Sequence, residues 1–364
     1  MNKRTFLFLL NGIGTGKALD ARSFKTFGAN TMQTLIDSNK LNIPTLKSMG
    51  LGLLRNIENF EYAQFPIADY GELISDSTSL NEGLLYCEMF GDSRSDVSID
   101  FEKHIPQSLI RRSEPDAGCK LYGGKQMLES EAIKKYWNQS KENNGCIICF
   151  SPDNSLTIIS DSKTRTVEQL YSVKDSLLKR LPKSYNFVEF NFKLYDSDGK
   201  NLIESQRIYE NLEATRIKSV RNKSKKIYFV GSNYDVFGDD AFDKVFDTNS
   251  DTETIKKVSS ILASNNFNEG LFITDFHSFA DFGSQRNIDS FVNALNKFDN
   301  WLGRFIKHMR ITDRLILVGT YGCDPAFRGF GHTRETVPIF VYHHQLNSKN
   351  LGLETGLNNI LKYI

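Results

Sequence analysis

Leu315-Ile-Leu-Val-Gly-Thr-Tyr-Gly-Cys-Asp-Pro325, then Gly331-His-Thr-Arg-Glu335, then Val337-Pro-Ile-Phe-Val-Tyr342, is the stretch whose reading decides the fold. The first apolar run reads as a buried strand that ends in a glycine turn. A histidine loop follows, and a second apolar strand closes the segment.

Similar short apolar runs recur upstream at Thr5–Leu10, Ile147–Phe150, Thr157–Ile159, Phe187–Phe192, Ile227–Val230 and Leu271–Ile273. Helical spacing of apolar residues predicts helices over Thr31–Ser38, Thr254–Asn265 and Asp289–Met309. Strands alternating with helices imply an α/β core with a largely parallel sheet. The middle of the chain is richer in charge and serine, with turn signals at Asp116-Ala-Gly118, Gly123-Gly124 and Asp196-Ser-Asp-Gly199. This pattern predicts an inserted domain over 96–224 between core segments 1–95 and 225–364.

The chain has 364 residues, 40% hydrophobic and 24% charged, with a formal net charge of +1. That balance argues against broad electrostatic binding to nucleic acid or acidic membranes. The basic run Arg216–Lys226 reads as a solvated hinge segment. Five cysteines, an odd number, imply no disulfide framework. Cys146 and Cys149 form a C-x-x-C inside an apolar run, where strand alternation sends the two thiols to opposite faces. No apolar stretch is long enough to span a bilayer, and a cytoplasmic location is expected.

Gly12-Ile-Gly-Thr-Gly-Lys17 follows the first strand and invites comparison with a phosphate-binding loop. The required G-x-x-x-x-G-K-[ST] spacing fails, because Asn11 stands at its first position and Ala18 follows the lysine.

The C-terminal segment resembles the phosphopentomutases, alkaline-phosphatase superfamily enzymes that move phosphate between O1 and O5 of ribose. The likeness extends to Asn11–Thr31, to Asn42-Ile-Pro-Thr-Leu-Lys-Ser-Met-Gly-Leu51, and to Thr274 through Asp299. It is weaker in the inserted region, at Ile105-Pro-Gln and Ser151-Pro-Asp153. The resemblance implies an alkaline-phosphatase-like α/β core, its mostly parallel sheet flanked by helices, with an inserted α/β cap domain.

It also implies two Mn²⁺-type ions held by carboxylates and histidines, and here this chain departs from the pattern. Matched residue by residue, the ligand positions fall on Asn11, Ser278, Ser284, Thr320 and Tyr321, leaving His332. Asp324 is kept in the Gly-Cys-Asp-Pro turn and is expected to hold the loop. Two divalent ions about 4 Å apart need several anionic ligands to offset their repulsion. Asn, Ser and Thr are neutral, and tyrosine, with a pKa of about 10, is protonated at neutral pH.

The family's phosphorylated threonine maps to Ser79 by one count and to Glu82 by another, with Thr78 and Ser77 as neighbouring hydroxyls. Weaker correspondences place sugar or phosphate contacts at Asp153, Arg207, Arg334 and Lys193. Asp275, His277 and Asp281, joined by His332, would supply ligands for one zinc- or manganese-like ion.

Two functions follow. The first is a metal-free pseudoenzyme that binds a phosphorylated sugar or a protein partner; loss of ligands beside an intact Gly-Cys-Asp-Pro and His-Thr-Arg-Glu scaffold motivates it. The second is an altered phosphotransferase, phosphomutase or hydrolase, metal-independent or using one divalent ion (Mn or Zn). In it, His332 is the acid, Asp324 its orienter and Arg334 a phosphate clamp.

Overall fold

The computed structural model describes residues 4–91, 104–151, 153–182, 185, 187–210, 218–237, 241–328, 331–344 and 347–364. The chain divides into two compact units, Met1–Arg94 with Glu213–Ile364, and Ser95–Leu212.

The first unit is built on an eight-stranded sheet. Its order is Asn350–Thr355, Asp69–Ile74, Val337–Tyr342, Asp313–Gly322, Arg4–Gly12, Gly270–Phe276, Ile227–Val230 and Lys244–Phe246. The last five run parallel to one another, and Val337–Tyr342 is antiparallel to both its neighbours. Arg4–Gly12 reads RTFLFLLNG, a near-continuous apolar run, because a central parallel strand is covered on both faces.

Phe6 and Phe8 of that strand meet the helix Ile288–His308. Phe6 packs edge-on to Phe305 at 5.1 Å, and Phe8 stacks on Trp301 at 5.5 Å. The helix buries Phe291, Leu295, Phe298, Leu302 and Phe305, a three-and-four spacing that puts one stripe on the sheet. Asn287 starts it by accepting from Ser290 N.

The short helix Pro44–Met49 begins after Ile43, which has no capping side chain. Its cap comes from the long helix instead. The buried Asp299 carboxylate accepts from Thr45 N at 3.0 Å and Leu46 N at 2.7 Å. Asp299→Ala leaves both donors unanswered and is expected to cost about 1–2 kcal/mol. Urea denaturation with an unchanged slope checks this; a loss below about 0.3 kcal/mol would show the cap to be dispensable.

The second unit holds a five-stranded sheet in the order Leu121–Gln126, Cys146–Phe150, Ser155–Asp161, Glu189–Tyr195 and Leu202–Tyr209. Helices Gln107–Ala117 and Val167–Leu178 pack on one face with Cys146, Ile148 and Phe150. Helix Glu129–Glu142 packs on the other with Ile147 and Cys149. The two cysteines of the C-x-x-C therefore do face opposite ways. No helix among the described residues is long and apolar enough to cross a membrane.

Candidate metal and phosphate site

Three adjacent parallel strands of the first unit end side by side, where open α/β sheets carry their ligands. Arg4–Gly12 delivers Asn11, Gly270–Phe276 delivers Asp275 with His277 just beyond, and Asp313–Gly322 delivers Thr320 and Tyr321. The helix Glu82–Met89 points its N-terminus into the same place. Asn81 caps it, accepting from Leu84 N. Glu82 and Tyr86 lie one turn apart and so share a face.

These side chains form one network. Thr320 Oγ1 donates to Asn11 Oδ1 at 2.6 Å. Asn11 Nδ2 donates to Asp275 Oδ1 and to the Tyr86 hydroxyl. That hydroxyl lies 2.9 Å from Asp275 Oδ1 and 3.1 Å from Glu82 Oε1. Tyr321 and Asn233 each donate to Glu82 Oε1 at 3.3 Å. His277 Nδ1 is 3.4 Å from Glu82 Oε1, and its Nε2 is 3.5 Å from Asp281 Oδ1.

Burial pushes the Asp275 carboxyl up, and the Glu82 charge adds to this, bringing it to about 7. Burial alone would lower the His277 imidazole, but Glu82, Asp275 and Asp281 outweigh it and raise it to about 10. Burial and the same carboxylates hold the Tyr86 and Tyr321 phenols well above their ordinary value, so both stay donors. The pocket thus balances its carboxylates with a protonated histidine.

Asp275 Oδ2 is buried and has no hydrogen-bond partner among the described residues. Glu82, Asp275 and His277 each offer one ligand atom, all within 4.8 Å of one another. Two carboxylates and a histidine, once its imidazole gives up its proton, suit one divalent ion of the zinc or manganese type.

A family profile described as the metalloenzyme superfamily matches residues 3–364. The chain belongs to the metalloenzyme superfamily. Among its relatives, a phosphopentomutase of Mycoplasmopsis pulmonis is 26% identical over 99% of this chain and 94% of its own length. One from Limosilactobacillus reuteri is 27% identical over 96% and 91%. Of solved structures, the PH0037 protein from Pyrococcus horikoshii aligns over 100% of this chain and 96% of its own, with 11% identity and a TM-score of 0.48.

Within this superfamily member, the residues singled out from sequence separate into groups. Asn11, Thr320, Tyr321, Asp275 and His277 converge on the pocket. Asp281 Oδ1 lies 3.5 Å from the outer nitrogen of His277. His332 stands apart from the three-ligand cluster, its Nδ1 2.9 Å from Leu80 O and its ring against Tyr321 at 4.0 Å. Ser278 turns to Asp251, with its hydroxyl and backbone N–H both donating to that carboxylate. Ser284 is exposed, near Cys323.

Ser79 Oγ accepts from Asn81 N in the turn before the helix, and Thr78 is exposed. Asp324 holds its loop, accepting from Asn30 N, Thr34 Oγ1 and Ala326 N. Arg334 is no open phosphate clamp: it is buried, with Asp20 and Ser75 O occupying its guanidinium. In the second unit, Asp153 accepts from Ser151 and Ser155. Lys193 pairs with Glu129, and Arg207 lies on the edge strand opposite Asn191.

The glycine loop after the first strand has an anion of its own. Gly16 N donates to the buried Glu335 carboxylate, and a Cβ on Gly14 would sit 2.4 Å from Glu335 Oε2. Those glycines make room for an internal carboxylate.

The expectation of a pocket stripped of negative charge needs correction. Two carboxylates remain, and Glu82 is the one that sequence reading left out of the ligand set. The count that placed the nucleophile at Glu82 was its only signal.

Proposed function

We propose that this chain is a phosphopentomutase-like protein that binds a phosphorylated sugar, or a protein partner, without two-ion phosphate transfer. One observation carries this reading. At two positions where the resemblance calls for metal ligands, Thr320 donates to Asn11, and Asn11 in turn donates to Asp275 Oδ1. A second ion would have to break that chain and would gain only neutral oxygens.

The orphaned Asp275 Oδ2 favours a second reading, a single-ion phosphotransferase, phosphomutase or hydrolase. Glu82, Asp275 and His277 would hold the ion, which would supply electrophilic stabilisation of a phosphoryl oxygen.

Ribose 5-phosphate conversion with excess Mn²⁺, paired with elemental analysis of the dialysed protein, tests both. The expected result is no turnover above the uncatalysed rate, a thermal shift with ribose 5-phosphate, and less than one ion per chain. One ion per chain with turnover that His277→Ala abolishes would establish the second reading. Two tightly held ions with mutase turnover would overturn both.

A further inference from the structure

Cys119 and Cys146 lie in the second unit and take no part in the site described above. Gly118, in the left-handed conformation at φ 64°, ends the helix Gln107–Ala117 and turns the chain so that Cys119 leads into the strand Leu121–Gln126. Cys146 opens the neighbouring parallel strand, where its Cα is the register partner of Leu121. Its N–H donates to Lys120 O at 2.9 Å. The result is a sulfur–sulfur contact of 3.8 Å between residues 27 apart in sequence. A disulfide bond is about 2.0 Å long, so the sulfurs need to approach by roughly 2 Å.

The two thiols differ in the way a reactive pair requires. Cys119 is partly exposed, whereas Cys146 is fully buried. Contact with the Cys146 sulfur, helped by the positive Arg165, holds the Cys119 thiol below its ordinary value. Arg165 Nε is itself buried without a hydrogen-bond partner among the described residues, leaving its charge available to an anionic sulfur. Cys149 is excluded as a partner, since it faces the opposite side of the sheet and burial pushes its thiol up to about 12.

We propose that Cys119 and Cys146 form a reversible thiol–disulfide site oxidised by hydroperoxides. The Cys119 thiolate attacks a peroxide oxygen and breaks the O–O bond, giving a sulfenic acid and a hydroxide that is protonated to water. The Cys146 thiol gives up its proton, and its sulfur attacks Cys119 sulfur, expelling the sulfenic oxygen as a second water. Two thiols are oxidised by two electrons and one hydrogen peroxide is reduced. A reducing dithiol reverses the step. The bond staples the starts of two adjacent strands, restricting the unfolded chain more than the folded one.

The full-length protein is treated with hydrogen peroxide, alkylated, digested without reduction and analysed by mass spectrometry. A linked Cys119–Cys146 peptide lighter by two hydrogen atoms is expected, and it disappears with dithiothreitol and in Cys119→Ser. The oxidised protein melts about 3 °C or more above the reduced one. In Cys146→Ala, Cys119 proceeds instead to the sulfinic acid. Over-oxidised Cys119 beside a free Cys146 in the unaltered chain would overturn the proposal. So would two thiols that stay reduced under peroxide exposure that oxidises the unfolded chain.

Discussion

At pH 8, Asp275→Asn melts above the unaltered protein and Asn11→Asp melts below it. Asp275→Asn keeps the Oδ1 that accepts from Asn11 and Tyr86 and replaces the charged Oδ2 with a neutral amide. The Asp275 carboxyl rises from 3.8 to about 7 on folding. Its contribution to stability is therefore fully present below the unfolded value and is lost as pH climbs through the folded one. At about 1.4 kcal/mol per pH unit, the penalty at pH 8 is on the order of 4 kcal/mol. A buried amide facing no partner takes back about 1–3 kcal/mol, and His277 loses one supporting carboxylate, so a net gain of about 1 kcal/mol is expected.

The advantage of Asp275→Asn should fade as pH falls toward 4. Asn11→Asp does the reverse. It deletes the amide donor and sets a third carboxylate against Asp275 and Glu82, an expected loss of about 3 kcal/mol. Mn²⁺ at a hundred times its dissociation constant would return about 2.7 kcal/mol. Scanning calorimetry from pH 4 to 8, with and without Mn²⁺, reads both effects. An Asn11→Asp protein of unaltered stability in metal-free buffer would sink the picture of a charge-balanced, self-bonded pocket.

The parts of the fold that sequence reveals are those buried on both faces. Arg4–Gly12, Ile227–Val230 and Asp313–Gly322 are almost wholly buried, and each is announced by an apolar run drawn from Phe, Leu, Ile and Val. The strands Asp69–Ile74 and Asn350–Thr355 escape notice for the opposite reason. They read DYGELI and NLGLET and carry charge and glycine in place of an apolar run; the first is largely buried, and the second is the partly exposed edge strand.

The site divides the same way. Asn11, Thr320 and Tyr321 sit at the ends of legible strands, so their place follows once the strands are found. Ser278 and His277 are neighbours in sequence, and the backbone turn after Phe276 sends one to Asp251 and the other to Glu82. Glu82 could not be assigned from its neighbours in sequence. It enters the pocket through the direction of a helix whose docking depends on contacts far along the chain.

Asp313→Ala is expected to cost about 3–5 kcal/mol, the largest loss of any single change considered. Arg4 and Asp313 are both fully buried. Arg4 Nε and Nη2 meet the two carboxylate oxygens at 2.9 and 2.5 Å, and Nη1 donates to Leu262 O at 3.0 Å. Removing the carboxylate strands a guanidinium that cannot deprotonate. Arg4→Met with Asp313→Leu removes both charges and should recover most of the loss; urea denaturation of the three variants measures it.

If Asp313→Ala alone loses less than about 1 kcal/mol, the pair is not holding the strands. The two residues are direct partners in the parallel ladder, at the opposite end of the strands from the pocket. A slip of one residue there would carry Thr320 about 3.3 Å along the strand and turn it to the other face. Thr320 would then miss Asn11. The ladder keeps one register from the Arg4–Asp313 pair to Leu10–Gly319, and an irregularity between Leu10 and Gly12 then sets Asn11 beside Thr320.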